Sequence, residues 1–204
     1  DLDAVVKRSR AVSKQLNSGV GHLLKKNKVT AIMGEATIPA KGKVSVRADK
    51  GAEELEAKAI VLATGASPLL PGIPGIDRKG VFSLRTLEDA VLLLEFLARG
   101  PEVVILGGGL LGLEIARAIL KRGLKQVTVV EYFNRLLPRQ LDEIGARLLQ
   151  SQLEKMGLRF LLGKEALEIS GQETVSQVKF KDGSSLSAGA VVVASGIKPR
   201  LELA

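Results

Sequence analysis

The run Val103-Val104-Ile105-Leu106 leads straight into Gly107-Gly108-Gly109-Leu110-Leu111-Gly112, and Leu113, Ile115, Ala116, Ile119 and Leu120 then recur at helical intervals. That order reads as strand, tight turn and helix, with Gly107, Gly109 and Gly112 in G-x-G-x-x-G spacing. Each glycine has a mechanical reason to be there: Gly107 permits the turn, Gly109 leaves room for a pyrophosphate against the backbone, and Gly112 lets helix and strand pack closely. The helix start then offers unpaired N–H groups and the positive end of its dipole to phosphates. The next strand, Gln126 to Val130, runs into Glu131, near the roughly 20-residue spacing at which an acid meets an adenosine ribose. A carboxylate there accepts hydrogen bonds from the 2′- and 3′-hydroxyls and repels a 2′-phosphate, so the expected ligand is NAD rather than NADP.

Composition narrows the function classes. The 204 residues are 46% hydrophobic but include one Tyr, five Phe and no Trp, so the cores must be aliphatic. No apolar run approaches the roughly 20 residues of a membrane helix, and no signal sequence opens the chain. Cysteine is absent, which removes disulfides, thiolate metal sites and any redox dithiol within these residues. The expectation is a cytoplasmic protein without membrane or metal partners. The net charge of +8 invites a nucleic-acid reading, but the basic residues are spread along the chain. The one cluster, Lys25-Lys26-Asn27-Lys28, has no aromatic platform beside it and suits a helix C-terminus. His22, the single histidine, has no metal-ligating neighbours and reads as an ordinary helix side chain.

In chain order, Leu2 to Lys26 has apolar residues near helical spacing, with Asp1 or Asp3 to cap it, Asn27 to close it, and Gly19 and Gly21 as places for a kink. Strands are expected at Val29–Met33, Lys43–Arg47, Glu54–Ala57 and, fully buried, Ala59–Ala63, with a turn at Asp49-Lys50-Gly51. The Pro/Gly-rich stretch Pro68 to Gly75 reads as a linker. A helix capped by Thr86 follows, and a second, amphipathic one spans Asp142 to Met156 with Leu141, Ile144, Leu148, Leu149 and Leu153 on one side. Leu158–Leu162 is the next strand. Leu167–Ile169, Val175–Lys181 and Ser184–Leu186 form a small antiparallel meander turning at Asp182-Gly183, and Ala190–Ala194 is a closing buried strand.

Two stretches repeat. Ala57 to Pro68 and Ala188 to Pro199 each run through a buried strand, a small residue, Gly and Pro, with Gly65 answering Gly196 and Pro68 answering Pro199 at 131 positions' distance. Each follows a polar meander. The fold class is therefore α/β: a Rossmann-like dinucleotide domain over residues 82–204, preceded over residues 1–81 by part of a domain of the same type whose own glycine-rich βαβ unit is missing.

These features resemble the pyridine nucleotide-disulfide oxidoreductase superfamily, flavoproteins whose FAD domain is interrupted by an NAD(P) domain. Lys14 to Val20 and Leu24 to Val29 look like dihydrolipoamide dehydrogenases; Ser83 to Ala90, Arg135 to Asp142 and Gly196 to Ala204 look like the nitrite reductase, NADH oxidase and ferredoxin reductase branch. The resemblance implies that Gly107, Gly109 and Gly112 hold the NAD pyrophosphate, Glu131 the adenine ribose, and that Glu114 lies near the nicotinamide. Ala166 and Gly196 would meet NAD through backbone, and Ala36, Ala63, Thr64 and Gly65 match FAD-contacting positions. The superfamily's first G-x-G-x-x-G, its redox dithiol, its later FAD motif and its dimerisation domain have no counterpart here. The expected function is the NAD(H)-binding part of an FAD-dependent oxidoreductase passing hydride from NADH to flavin and electrons to an acceptor, with FAD retention doubtful in this chain alone. Missing strands also imply a homo-oligomer or a complementing chain. The alternative is a non-catalytic nucleotide-binding or scaffold protein derived from such a reductase.

Overall fold

The computed structural model describes residues 2–49 and 51–203. Two compact units divide the chain, Thr64–Arg200 and Asp1–Ala63 with Leu201–Ala204.

The smaller unit opens with helix α1 (Leu2–Lys26), which continues as one helix through Gly19 and Gly21. Both glycines stand in open space, so no packing demand bends the helix there. The Asp1 cap lies outside the described residues. At the other end the Asn27 side chain donates to the Leu23 carbonyl at 2.8 Å, while Lys28, at φ 57°, turns the backbone so that Val29 N–H reaches the Leu24 carbonyl. That is a Schellman closure with lysine in the usual glycine place. Three strands follow, β1 (Glu35–Ala40), β2 (Lys43–Ala48) and β3 (Gly51–Glu56), in an antiparallel sheet of order β1-β2-β3. Lys50, in the turn joining β2 to β3, lies outside the described residues.

Two expected strands are not formed. Val29–Met33 and Ala59–Ala63 are irregular, with Met33 83% and Val61 88% exposed. A parallel strand gains stability only when neighbours pair its backbone and cover its faces, and neither segment has a paired neighbour among the described residues. Among the described residues of this unit, Val46 is the one buried apolar side chain.

The larger unit holds the remaining strands, β4 (Ala66–Pro68), β5 (Val81–Ser83), β6 (Val103–Leu106), β7 (Val127–Glu131), β8 (Arg159–Leu162), β9 (Ala166–Ser170), β10 (Gln177–Phe180), β11 (Ser185–Ser187), β12 (Ala190–Val193) and β13 (Ile197–Pro199), with helices α2 (Leu87–Leu97), α3 (Leu110–Lys121) and α4 (Glu143–Lys155). Its centre is a parallel sheet of order β5-β12-β6-β7-β8. Successive side chains of a strand point to opposite faces, and this sheet uses both. Val103, Ile105, Val127 and Val129 pack with Leu93, Ile115, Ala116 and Leu153 of the helices. Val104, Leu106 and Val130 pack with Ile169, Val178 and Phe180 of the antiparallel meander β11-β10-β9. The result is a sheet between a helical layer and a β layer.

Local signals agree with this packing. Thr86 caps α2 by accepting from Asp89 N–H, and the Asp89 carboxylate accepts in return from the Thr86 and Arg85 amides at 2.9 Å. Those backbone donors hold the Asp89 carboxyl below the usual range, and such a box contributes about 1 kcal/mol. On α4, Leu153 is buried and Leu149 half-buried, whereas Ile144 and Leu148 face outward, so the apolar side is narrower than its periodicity suggests. The Pro/Gly-rich stretch beyond β4 is bound to the meander: Ile169 N–H donates to the Pro74 carbonyl at 2.9 Å. No described helix is long and apolar enough to cross a membrane.

Candidate dinucleotide site

Parallel strands that diverge at a switch in connectivity leave a crevice beyond their carboxyl ends. Here the chain proceeds from β6 to β7 and β8 on one side and returns to β12 on the other. Beyond the ends of β6, β7 and β12 lies a cleft of about 660 Å³, reached by Leu106, Gly107, Gly109, Val130, Glu131, Ala194, Ser195 and Gly196.

The glycine turn is built as the spacing requires. Gly107 has φ 123°, a region that costs other residues, and its Cα faces the Ala194 carbonyl too closely for a side chain. Gly112, in the first turn of α3, lies so close to the Gly107 carbonyl that a methyl group would clash. Gly109 is different: a Cβ there would meet nothing within 4 Å, because its open side faces the cleft. It forms the N-cap of α3 with no side-chain acceptor, and the first turn carries no acidic residue. The helix therefore presents free N–H groups and an unneutralised dipole end, which fits a diphosphate.

Glu131 is 7% exposed at the end of β7. Its Oε2 accepts from Gly108 N–H at 2.6 Å and its Oε1 from Phe133 N–H at 2.9 Å. A carboxylate offers about four acceptor sites, so two remain for the hydroxyls of a ribose. Burial also makes an added phosphate costly beside it.

Of the sequence-predicted positions, Gly107, Gly109, Glu131, Ala166 and Gly196 line this one cleft. Gly112 supports it from behind. Glu114 stands on the exposed side of α3, outside the lining. Ala36 sits on β1 and Ala63 in an exposed segment of the smaller unit; Thr64 and Gly65 belong to the larger unit, where Thr64 Oγ1 donates to the Arg200 carbonyl and Gly65 accepts from Arg200 N–H.

A model of the pyridine nucleotide-disulphide oxidoreductase family matches residues 2–204. The chain belongs to that family. It is 40% identical over 145 residues to the assimilatory nitrate reductase electron transfer subunit of Bacillus subtilis, covering 71% of this chain and 19% of that protein. It is 44% identical over 144 residues to the nitrite reductase [NAD(P)H] of the same organism, covering 71% and 18%. Among solved structures it resembles an NAD-dependent persulfide reductase from A. fulgidus with TM-score 0.71 and 30% identity, over 90% of this chain and 34% of that one. The chain thus spans about a fifth of the length of these Bacillus relatives. Members of this family are NAD(P)H- and FAD-dependent, as the resemblance implies.

The cleft of this family member also has walls that motif reading does not find. Pro71 and Ile73, in the supposed linker, form one side. Leu137 and Arg139 form part of another, and Lys164 stands at the rim in an ion pair with Asp182. The Lys164 ammonium and the Ser184 amide and hydroxyl hold the Asp182 carboxyl well below the usual range. No periodicity announces these residues, because tertiary folding alone brings them to the strand ends. The motif Arg135-Leu136-Leu137-Pro138-Arg139 was a usable signal, but as a mark of resemblance only.

Proposed function

We propose that this chain is the NAD(H)-binding part of an FAD-dependent pyridine nucleotide oxidoreductase. The observation that carries the proposal is the meeting of three features at one switch point: an open Gly109, an uncapped α3 N-terminus, and a buried Glu131 with acceptor capacity to spare. In this reading the backbone of Gly109 and the first turn of α3 bind the pyrophosphate, Glu131 orients the adenine ribose, and Ala166 and Gly196 meet the remainder through backbone. Glu114 is assigned no proton or hydride role. The chemistry that the bound cofactors supply is hydride transfer from dihydronicotinamide to flavin, with electrons passing to an acceptor.

A non-catalytic nucleotide-binding protein is the second reading. It draws support from the smaller unit, where exposed Val61 and Leu62 directly precede the Ala63 position assigned to FAD. Such apolar exposure also favours pairing with a second copy or a complementing chain, and the lack of cysteine suits a cytoplasmic setting. Calorimetric titration with NADH, followed by gel filtration with FAD, tests the pair. NADH binding with loss of FAD on the column is expected of this chain alone; failure to bind NADH would contradict both readings.

A further inference from the structure

Only two described non-glycine residues have positive φ, Lys28 and Leu137. The first closes a helix. Leu137, at φ 48°, closes none, and it directly precedes Pro138, which restricts the preceding residue to extended backbone. A branched-chain residue in the left-handed region persists only where its surroundings over-determine it.

Those surroundings belong to the cleft. Leu136, one residue earlier, is fully buried against Gly108, where an added Cβ would meet its Cδ2 at 2.9 Å. The Leu137 carbonyl accepts from the Gln140 and Leu141 amides at 2.9 Å, which fixes the outgoing turn. Its N–H donates to the Gly108 carbonyl at 3.4 Å, while Glu131 accepts from the Gly108 N–H at 2.6 Å. Gly108 is therefore held through both of its polar backbone groups, by an acid from β7 on one and by a strained backbone on the other.

We propose that Leu137 is a positioning residue for dinucleotide binding, acting through its left-handed backbone rather than its side chain. With the outgoing turn fixed at the Leu137 carbonyl, the positive φ sets the orientation in which its N–H meets the Gly108 carbonyl, and that bond orients the glycine turn whose next residue, Gly109, lines the cleft. This rests on the dinucleotide reading above. It assigns a role to the loop after Glu131 beyond the ribose contact of the acid.

The test uses the full chain with Leu137→Gly, Leu137→Asn, Leu137→Ala and Leu137→Val, each titrated with NADH by calorimetry and each read at the Gly108 amide by NMR without ligand. Gly and Asn accept positive φ, and they are expected to bind NADH at least about fivefold more tightly than the Val variant, with the Gly108 resonance in place. Val is β-branched and resists that conformation; it is expected to weaken NADH at least tenfold and to move the Gly108 resonance. Should the Val variant fail to fold, Ala decides, with an intermediate loss expected. Ala and Val variants matching the unaltered chain would overturn this proposal alone. So would Gly and Asn variants as weak as Val, since the side chain would then be responsible. An unaltered chain that takes up no NADH would overturn the dinucleotide reading and this proposal together.

Discussion

The hydroxyls of Thr64 and Ser195 do the same job at corresponding places. Thr64 Oγ1 donates to the Arg200 carbonyl at 2.7 Å and Ser195 Oγ to the Leu69 carbonyl at 2.5 Å. Donors and acceptors alike are 131 positions apart (64 to 195, 69 to 200). The backbone repeats the relationship: Leu69 N–H meets the Gly196 carbonyl at 2.9 Å and Arg200 N–H the Gly65 carbonyl at 3.0 Å. The sequence repeat thus meets itself as an antiparallel ribbon, β4 on β13, with Ile197 opposite Pro68 and Pro199 opposite Ala66.

Each of those hydroxyls should contribute to stability. Thr64→Val and Ser195→Ala are each expected to cost about 0.5–1.5 kcal/mol, measured by urea unfolding of the larger unit. Because both bonds tie the same ribbon, the double variant should depart from additivity. Losses below about 0.3 kcal/mol would show the ribbon to be held by backbone alone.

Glu131 should set the choice between dinucleotides. Glu131→Arg removes the buried anion and supplies a partner for a 2′-phosphate, so the ratio of NADPH to NADH affinity should rise at least tenfold. The variant also leaves Gly108 and Phe133 N–H without their acceptor, and the thermal midpoint should fall by several degrees. Equal binding of both dinucleotides by the unaltered chain, in calorimetry, would remove the acid from this role.

The second and third glycines of the motif, Gly109 and Gly112, should fail differently. Gly109→Val places a side chain in open cleft space, so NADH binding should drop at least 100-fold with the thermal midpoint little changed. Gly112→Ala drives a methyl group into the Gly107 carbonyl, so stability should fall by about 1–3 kcal/mol and binding with it. Circular dichroism melts alongside the titrations separate the two.

Reading the fold from the residues worked where a segment's neighbours are close in sequence. The β6–α3–β7 unit, the Thr86 box and the Asp182-Gly183 hairpin all depend on local chemistry. It went astray at Ala59–Ala63, whose composition matches Ala190–Ala194 almost position for position. The later copy is a strand because β5 and β6 flank it and both faces are covered; the earlier one has no paired neighbour among the described residues. The same limit hid Pro71, Ile73 and Leu137, which reach the cleft only by tertiary folding.

The Asp182–Lys164 pair carries a pH signature. The folded carboxyl titrates below its ordinary value of 3.8, so its stabilisation is complete above that value and is lost as pH falls toward the depressed one. The gap in thermal midpoint between the unaltered chain and Asp182→Asn should be constant from about pH 5 to 7 and shrink below about pH 4. A gap that widened in acid would contradict the assignment. Because Lys164 lines the cleft rim, NADH affinity in Asp182→Asn should shift less than threefold, reflecting a freed but still charged ammonium.

The most direct measurement is an NADH titration of the isotopically labelled full chain, followed at backbone amides. Binding at the switch point predicts saturable shifts concentrated at Gly107, Gly108, Gly109, Phe133, Ala166 and Gly196, with residues 2–49 unmoved. Shifts confined to other surfaces, or none at millimolar NADH, would contradict the account.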